Sequence, residues 1–269
     1  MVVRRLVIGP GAMGYFLFLG ALSALKDTSA LNELEAISGS SAGGLLGLIY
    51  ILAKGDVRRV FDYSLKVPIK TIMKPNIRTF LRSYGLVSTS KVRKIFQETI
   101  FEFLKKNDVT FKELYEYYPV KLYISACCIN LSVTHYFSVD ATPDMSVVDA
   151  LCMTVAVPFL FEAVEHGPWR YIDGGTLEDT PCTPFIGLSD VHVVCMDMEQ
   201  TTLDIPDLKT YIVHILGAAM NLRHRYSQFP KTSLKMEALN VFDFGASTDS
   251  KMKMFLNGYQ NFLTQSKCV

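Results

Sequence analysis

Leu34-Glu35-Ala36-Ile37-Ser38-Gly39-Ser40-Ser41-Ala42-Gly43-Gly44-Leu45-Leu46-Gly47-Leu48-Ile49 joins a short apolar run, a glycine-serine turn and a longer apolar run. The first run has the length of a strand and the second that of a buried helix. Glycines at 39 and 43 allow a sharp turn, which pushes the Ser41 hydroxyl out of a sheet. The first amides of the following helix point at the same spot and favour negative charge there. Such a turn serves either a nucleophilic serine or only the close packing of a helix on a strand.

Outward from this turn, residues 2–8 read as a buried strand, 13–26 as an apolar helix, 34–38 as a strand and 42–53 as a helix. Residues 56–65 and 90–106 read as helices, the second with Ser90 as N-cap. Strands are expected at 120–129 and 132–138, joined near Asn130, and a helix at 147–157 stops before Pro158. Residues 170–172 end a strand, 191–196 form a core strand, 208–225 a long helix, 241–244 a last short strand and 249–264 a closing helix. This alternation predicts an α/β fold: a largely parallel central sheet with helices on both faces, in a single domain.

Composition agrees with that fold. The 269 residues are 49% hydrophobic, which suits a parallel sheet buried on both faces. A net charge of +1 gives no electrostatic reason for a nucleic-acid partner. The six cysteines form no CxxC and no Cys/His metal cluster, so buried thiols in a reducing compartment are expected. Two uncharged windows, 6–25 and 37–53, each contain a glycine turn and read as strand, turn and helix rather than as membrane spans. No secretory leader is read at the start, and a cytoplasmic location follows as the expectation.

A nucleophilic serine needs a base, most often histidine. His135 and His192 fall within strands, His166 in a turn, His214 in an apolar helical run and His224 between two arginines. Tyr171-Ile172-Asp173-Gly174-Gly175 offers another route, a carboxylate at a strand end followed by two glycines; its plain alternative is an ordinary Asp-Gly turn. Gly9-Pro10-Gly11-Ala12-Met13-Gly14 follows the first strand and opens a helix, the setting of a dinucleotide-binding loop. That reading, a nucleotide-binding oxidoreductase, wants an acid at the end of the second strand, where Ser38-Gly39-Ser40-Ser41 stands instead. The same loop suits acyl transfer, because amides at a helix start can hold an oxyanion; Pro10 has no N–H, so Gly11, Ala12 or a neighbour must donate.

These three motifs in this order, Gly9 to Gly14, Gly39 to Gly43 and Asp173 to Gly175, resemble the patatin-like phospholipase family, and the likeness extends over about residues 2–200. The resemblance implies a lipid acyl hydrolase with a Ser41–Asp173 dyad and no histidine. It also implies an oxyanion hole at Gly9, Pro10, Gly11, Ala12, Met13 and Gly14, with Gly39, Gly43, Gly174 and Gly175 as motif glycines. A catalytic domain over 2–200 is expected, with about 56–106 as a helical cap or lid within it and 201–269 completing the same domain. The substrate would be a glycerolipid or phospholipid, and neither metal nor organic cofactor is called for. The chain departs from the family where Pro10 replaces a second glycine and Met13 a Lys or Arg. These departures keep a second reading alive, a catalytically weak membrane-binding module.

No acidic residue occurs from Lys66 to Gln97, while Lys66, Lys70, Lys74, Arg78 and Arg82 recur every four positions among apolar residues. That pattern suits peripheral contact with an anionic membrane, or else a solvated basic face. Pro68 and Pro75 break the segment into short pieces.

Overall fold

In a computed structural model, residues 1–199, 205, 210–211, 214–215 and 228–266 are described. Strands β1 (Arg5–Ile8), β2 (Ala36–Ser40), β4 (Lys121–Cys128), β9 (Val191–Glu199) and β10 (Lys231–Glu237) lie parallel in the order β10-β9-β1-β2-β4. The rest of the sheet is antiparallel: β8 (Trp169–Asp173) pairs with the end of β4, β7 (Val164–His166) with β8, and β5 (Val133–Phe137) with β4 as well. A separate short pair joins β3 (Gly85–Val87) to β6 (Phe159–Phe161).

Alternation along the strands splits the core by face. Leu6, Ile8, Ile37 and Val194 enter the main core, whereas Val7, Ala36, Val193 and Cys195 point the other way, against Cys182 and Phe185. The main core is roofed by α1 (Tyr15–Asp27), α2 (Ala42–Leu52) and α8 (Val147–Thr154), with α6 (Thr89–Leu104) packed on α8 and α2. Both α1 and α2 are buried nearly all round, which is why their sequences lack amphipathic periodicity. The two uncharged windows thus resolve into strand, turn and helix, and no helix among the described residues is long and apolar enough to cross a membrane.

The segment after α2 folds as α3 (Val57–Lys66), α4 (Ile69–Ile72) and α5 (Ile77–Ser83), the interrupted pieces that the prolines predict. A capping box of Thr110 and Glu113 starts α7 (Phe111–Tyr117), a helix too short for apolar spacing to announce.

The last strand lies elsewhere than expected. Residues 241–244 are not a strand: α9 (Ala238–Val241) ends there in a turn, and Phe242 and Phe244 pack on the core. The strand is β10, where Thr232, Leu234 and Met236 are buried and Lys231, Lys235 and Glu237 exposed. Its charged alternate positions hid a half-buried edge strand from a search for apolar runs. The N-cap of α6 is Ser88 rather than Ser90. The expected helix at 208–225 lies mostly outside the described residues.

The final helix, α10 (Thr248–Ser266), lies directly on α1. A methyl group at Gly258 would sit 2.0 Å from the Leu17 carbonyl oxygen, and one at Gly20 would sit 2.0 Å from that of Phe255. Alanine normally stabilises a helix interior by roughly 1 kcal/mol over glycine. Here the clash is with backbone and must win. Gly258→Ala is expected to lower the thermal midpoint by several degrees, equivalent to about 1–3 kcal/mol. A raised midpoint in thermal unfolding would contradict that packing.

Candidate functional site

The site is assembled along one edge of β4. Residues Lys121 to Ser125 of β4 pair with β2, and Ala126 to Cys128 of the same strand pair with β8 running the opposite way. Ser40, the end of β2, is level with Ser125, and Asp173, the end of β8, is level with the next residue, Ala126. Two strands therefore meet end to end against β4, and the serine turn abuts the aspartate turn. Residues 132 positions apart in sequence become neighbours by register alone.

Ser41 is 5% exposed and adopts φ 51°, ψ −119°, a left-handed conformation that costs a non-glycine residue about 1–3 kcal/mol. Its N–H donates to Thr154 Oγ1 at 2.8 Å, one of the contacts that hold the strained turn. Close approach explains the glycines. A Cβ at Gly39 would lie 2.5 Å from the Gly43 carbonyl carbon, and one at Gly43 only 2.2 Å from Ile8 O.

Asp173 is 4% exposed. Its N–H donates to Ala156 O at 2.9 Å, and its Oδ1 accepts the Gly175 N–H at 2.8 Å. No full hydrogen bond reaches Oδ2 among the described residues. Burial pushes this carboxyl up to about 7, against the opposing pull of the Ser41 hydroxyl and the Gly175 amide. A carboxyl titrating near neutrality beside a serine hydroxyl has the basicity that a general base requires.

The glycine loop is also spent in detail. The Gly9 N–H donates to Val194 O at 3.0 Å and that of Gly14 to Gly11 O at 2.6 Å, while Pro10 has none. The amides of Gly11, Ala12 and Met13 take no acceptor outside the short helical turn Ala12–Gly14 among the described residues. Ala12 itself is held at φ 41°. Pro10 packs on the aspartate turn, since a Cβ at Gly175 would come within 2.6 Å of its Cγ. Met13 is buried in the core rather than presenting a polar group.

A cavity of about 120 Å3 opens beside Ser41. Ala12, Met13, Phe16, Leu45, Phe96 and Phe244 are among its walls, and Val67, Ile69 and Met73 line it from the segment around α4. Among the described residues no charged side chain lines it. Tyr15 and Ser64, also in the wall, are bonded to each other at 2.7 Å, and Ser64 donates onward to Val60 O at 2.6 Å. The cavity walls thus suit apolar groups.

His135, His166 and His192 are placed elsewhere than the serine turn, on β5, β7 and β9. His192 is buried in β9 with Nε2 at 3.0 Å from Thr232 Oγ1, and burial lowers its pKa to about 4. His135 Nδ1 lies 2.9 Å from the Tyr171 hydroxyl, and His166 sits exposed on β7. Among the described residues no group of three or more His, Cys, Asp or Glu could hold a metal ion. Sequence reasoning missed Thr154 and Ala156, which steady the serine and aspartate turns; a threonine ending an apolar helix was the one available signal.

A parallel-sheet α/β molecule with a strained strand-to-helix serine turn and a buried acid beside it defines the class. The chain belongs to the patatin-like phospholipase family, whose model matches residues 6–186. It is 24% identical over 183 residues to the probable lipid hydrolase 463L of invertebrate iridescent virus 6, covering 66% of this chain and 61% of that protein. An uncharacterized protein of Acanthamoeba polyphaga mimivirus, R571, is 24% identical over 239 residues, covering 84% of this chain and 78% of its own. The match to the first relative thus spans about three-fifths of that protein's length. Among solved structures, VipD from Legionella pneumophila superposes with a TM-score of 0.72 at 13% identity, over 100% of this chain and 67% of VipD. The type III effector ExoU of Pseudomonas aeruginosa gives 0.52 at 14% identity, over 98% and 53%. These two likenesses concern the fold.

Proposed function

We propose that the chain is a lipid acyl hydrolase of the phospholipase A or lysophospholipase type, working through Ser41 and Asp173. One observation carries the reading: the strained Ser41 turn adjoins a buried carboxyl poised near pH 7, at the wall of an uncharged apolar cavity. Asp173 takes the hydroxyl proton as Ser41 Oγ attacks an ester carbonyl, and the amides of Gly11, Ala12 and Met13 hold the oxyanion. The proton then passes to the departing alcohol as the C–O bond breaks, leaving an acyl-serine. Water, deprotonated by Asp173, attacks that ester, and fatty acid and Ser41 are released with the proton returned to Ser41.

The cavity size bears on the substrate. An engineered apolar cavity of about 150 Å3 accommodates benzene, so about 120 Å3 holds only the first part of an acyl chain. A long chain requires Val67, Ile69 and Met73 to move aside. Met13 in place of a cation supports the second reading, a weakly catalytic membrane-binding module, since the oxyanion is left to backbone donors alone.

A fluorophosphonate probe separates the two. Covalent labelling mapped to Ser41, together with fatty acid release from at least one member of a panel of phospholipids, lysophospholipids and glycerides, is expected. An intact, unlabelled Ser41 with no release would leave the module.

A further inference from the structure

The segment from Lys66 to Tyr84 has two unlike sides. Inward, Val67, Ile69 and Met73 line the cavity beside Ser41. Outward, Lys66, Lys70, Lys74, Arg78 and Arg82 are all exposed, and none forms an ion pair among the described residues. Large apolar side chains stand beside them. Ile77 is 64% exposed, Leu81 74% and Tyr84 70%; the first two stand one turn apart on α5, and Tyr84 caps its end. Phe159, paired in register with Gly85 next to Tyr84, adds a fourth at 42%.

This face is held out rather than merely loose. Ser83 Oγ donates to Glu162 Oε1 at 2.7 Å, the Thr89 N–H donates to Glu162 Oε2 at 3.0 Å, and the Asn76 N–H donates to Leu86 O at 2.8 Å. Glu162 and Glu165 line a cleft with Arg82, Tyr84 and Phe159; Glu162 is engaged by these hydroxyl and amide donors, and Glu165 by Arg170 at 2.6 Å. The outer side keeps five uncompensated cations around an apolar ridge. Interfacial helices carry the same pairing of apolar residues with basic flanks that meet anionic headgroups.

We infer that the outer face of α4 and α5 docks on an anionic lipid bilayer, with Ile77, Leu81, Tyr84 and Phe159 entering the acyl boundary and the cations meeting lipid phosphates and carboxylates. The docking itself stands apart from the catalytic reading. Its consequence, that the segment lining the cavity beside Ser41 is the one that meets lipid, rests on that reading.

Sedimentation with vesicles of phosphatidylcholine alone, and of phosphatidylcholine mixed with phosphatidylserine, tests it on the full chain. Wild-type protein is expected to bind the mixed vesicles at least about tenfold more tightly, with binding weakened by added salt. Arg78→Glu combined with Arg82→Glu is expected to lose that preference, whereas Lys112→Glu, an exposed cation on α7, keeps it. Tyr84→Trp preserves every charge and is expected to shift its emission to the blue on the mixed vesicles. Equal affinity for both vesicle types, equal losses in the α5 and Lys112 variants, or unshifted emission would each overturn the docking. Ser41→Ala protein is expected to bind like wild type, so a failure of the hydrolase reading leaves this result legible.

Discussion

Ser41→Ala and Asp173→Asn are each expected to lower ester turnover by at least about 10^3-fold, and the double variant by little more than either single one. Groups that act as one unit lose their function together, so near-additive losses would argue against a dyad. On the proposed dyad, turnover by the wild type should rise with pH through about 7, because there the Asp173 carboxylate is the form that accepts the Ser41 proton. The asparagine variant separates chemistry from stability. The Asp173 carboxyl titrates near 7 when folded against 3.8 as its ordinary value, so the folded chain holds the proton more tightly. Its contribution is fully present below about pH 3.8 and is lost as pH rises through 7. The loss is on the order of 4 kcal/mol. An asparagine side chain at this position never ionises, and its amide can donate to Ser41. Thermal unfolding at pH 5 and pH 8 should therefore show Asp173→Asn gaining on wild type at the higher pH. An advantage of the variant that shrinks toward pH 8 would contradict the raised carboxyl.

Gly43→Ala carries the second large effect. The added methyl would meet Ile8 O at 2.2 Å, Ile8 C at 2.7 Å and Gly9 O at 2.8 Å, all backbone atoms at the end of the central strand. Neither α2 nor β1 can shift without moving the Ser41 turn or the glycine loop. A stability loss of about 3 kcal/mol or more is expected. Whatever folds should lose at least about 100-fold in turnover through displacement of the reacting groups. Gly44→Ala is the control: its Cβ would find nothing nearer than Gly39 O at 3.4 Å, so it should be tolerated. Equal effects of the two substitutions, in thermal unfolding and in turnover, would remove close approach as the reason for the motif's second glycine.

Much of this was legible in the chain. β1, the glycine loop, β2, the Ser41 turn and α2 fall within a few residues of their sequence positions, because each has a strong local cause. A short apolar run fits a buried strand, glycines permit a turn, and a long apolar run fits a buried helix. Met13 is the instructive departure. Read from the sequence it is a missing cation; in the fold it belongs to an apolar cavity wall, where an unpaired charge would be costly. β10 was hidden for a different reason, since its identity as a strand depends on lying along β9.

By itself, then, the sequence determined the elements around Ser41, the α/β class and the candidate residues, all features fixed by interactions within a few residues. The meeting of those residues, by contrast, is set by contacts distant in sequence. Asp173 adjoins Ser41 because β2 and β8 end against adjacent positions of β4, and its carboxyl is raised because that junction is buried. Register and burial are properties of pairings distant in sequence, and no local pattern encodes them.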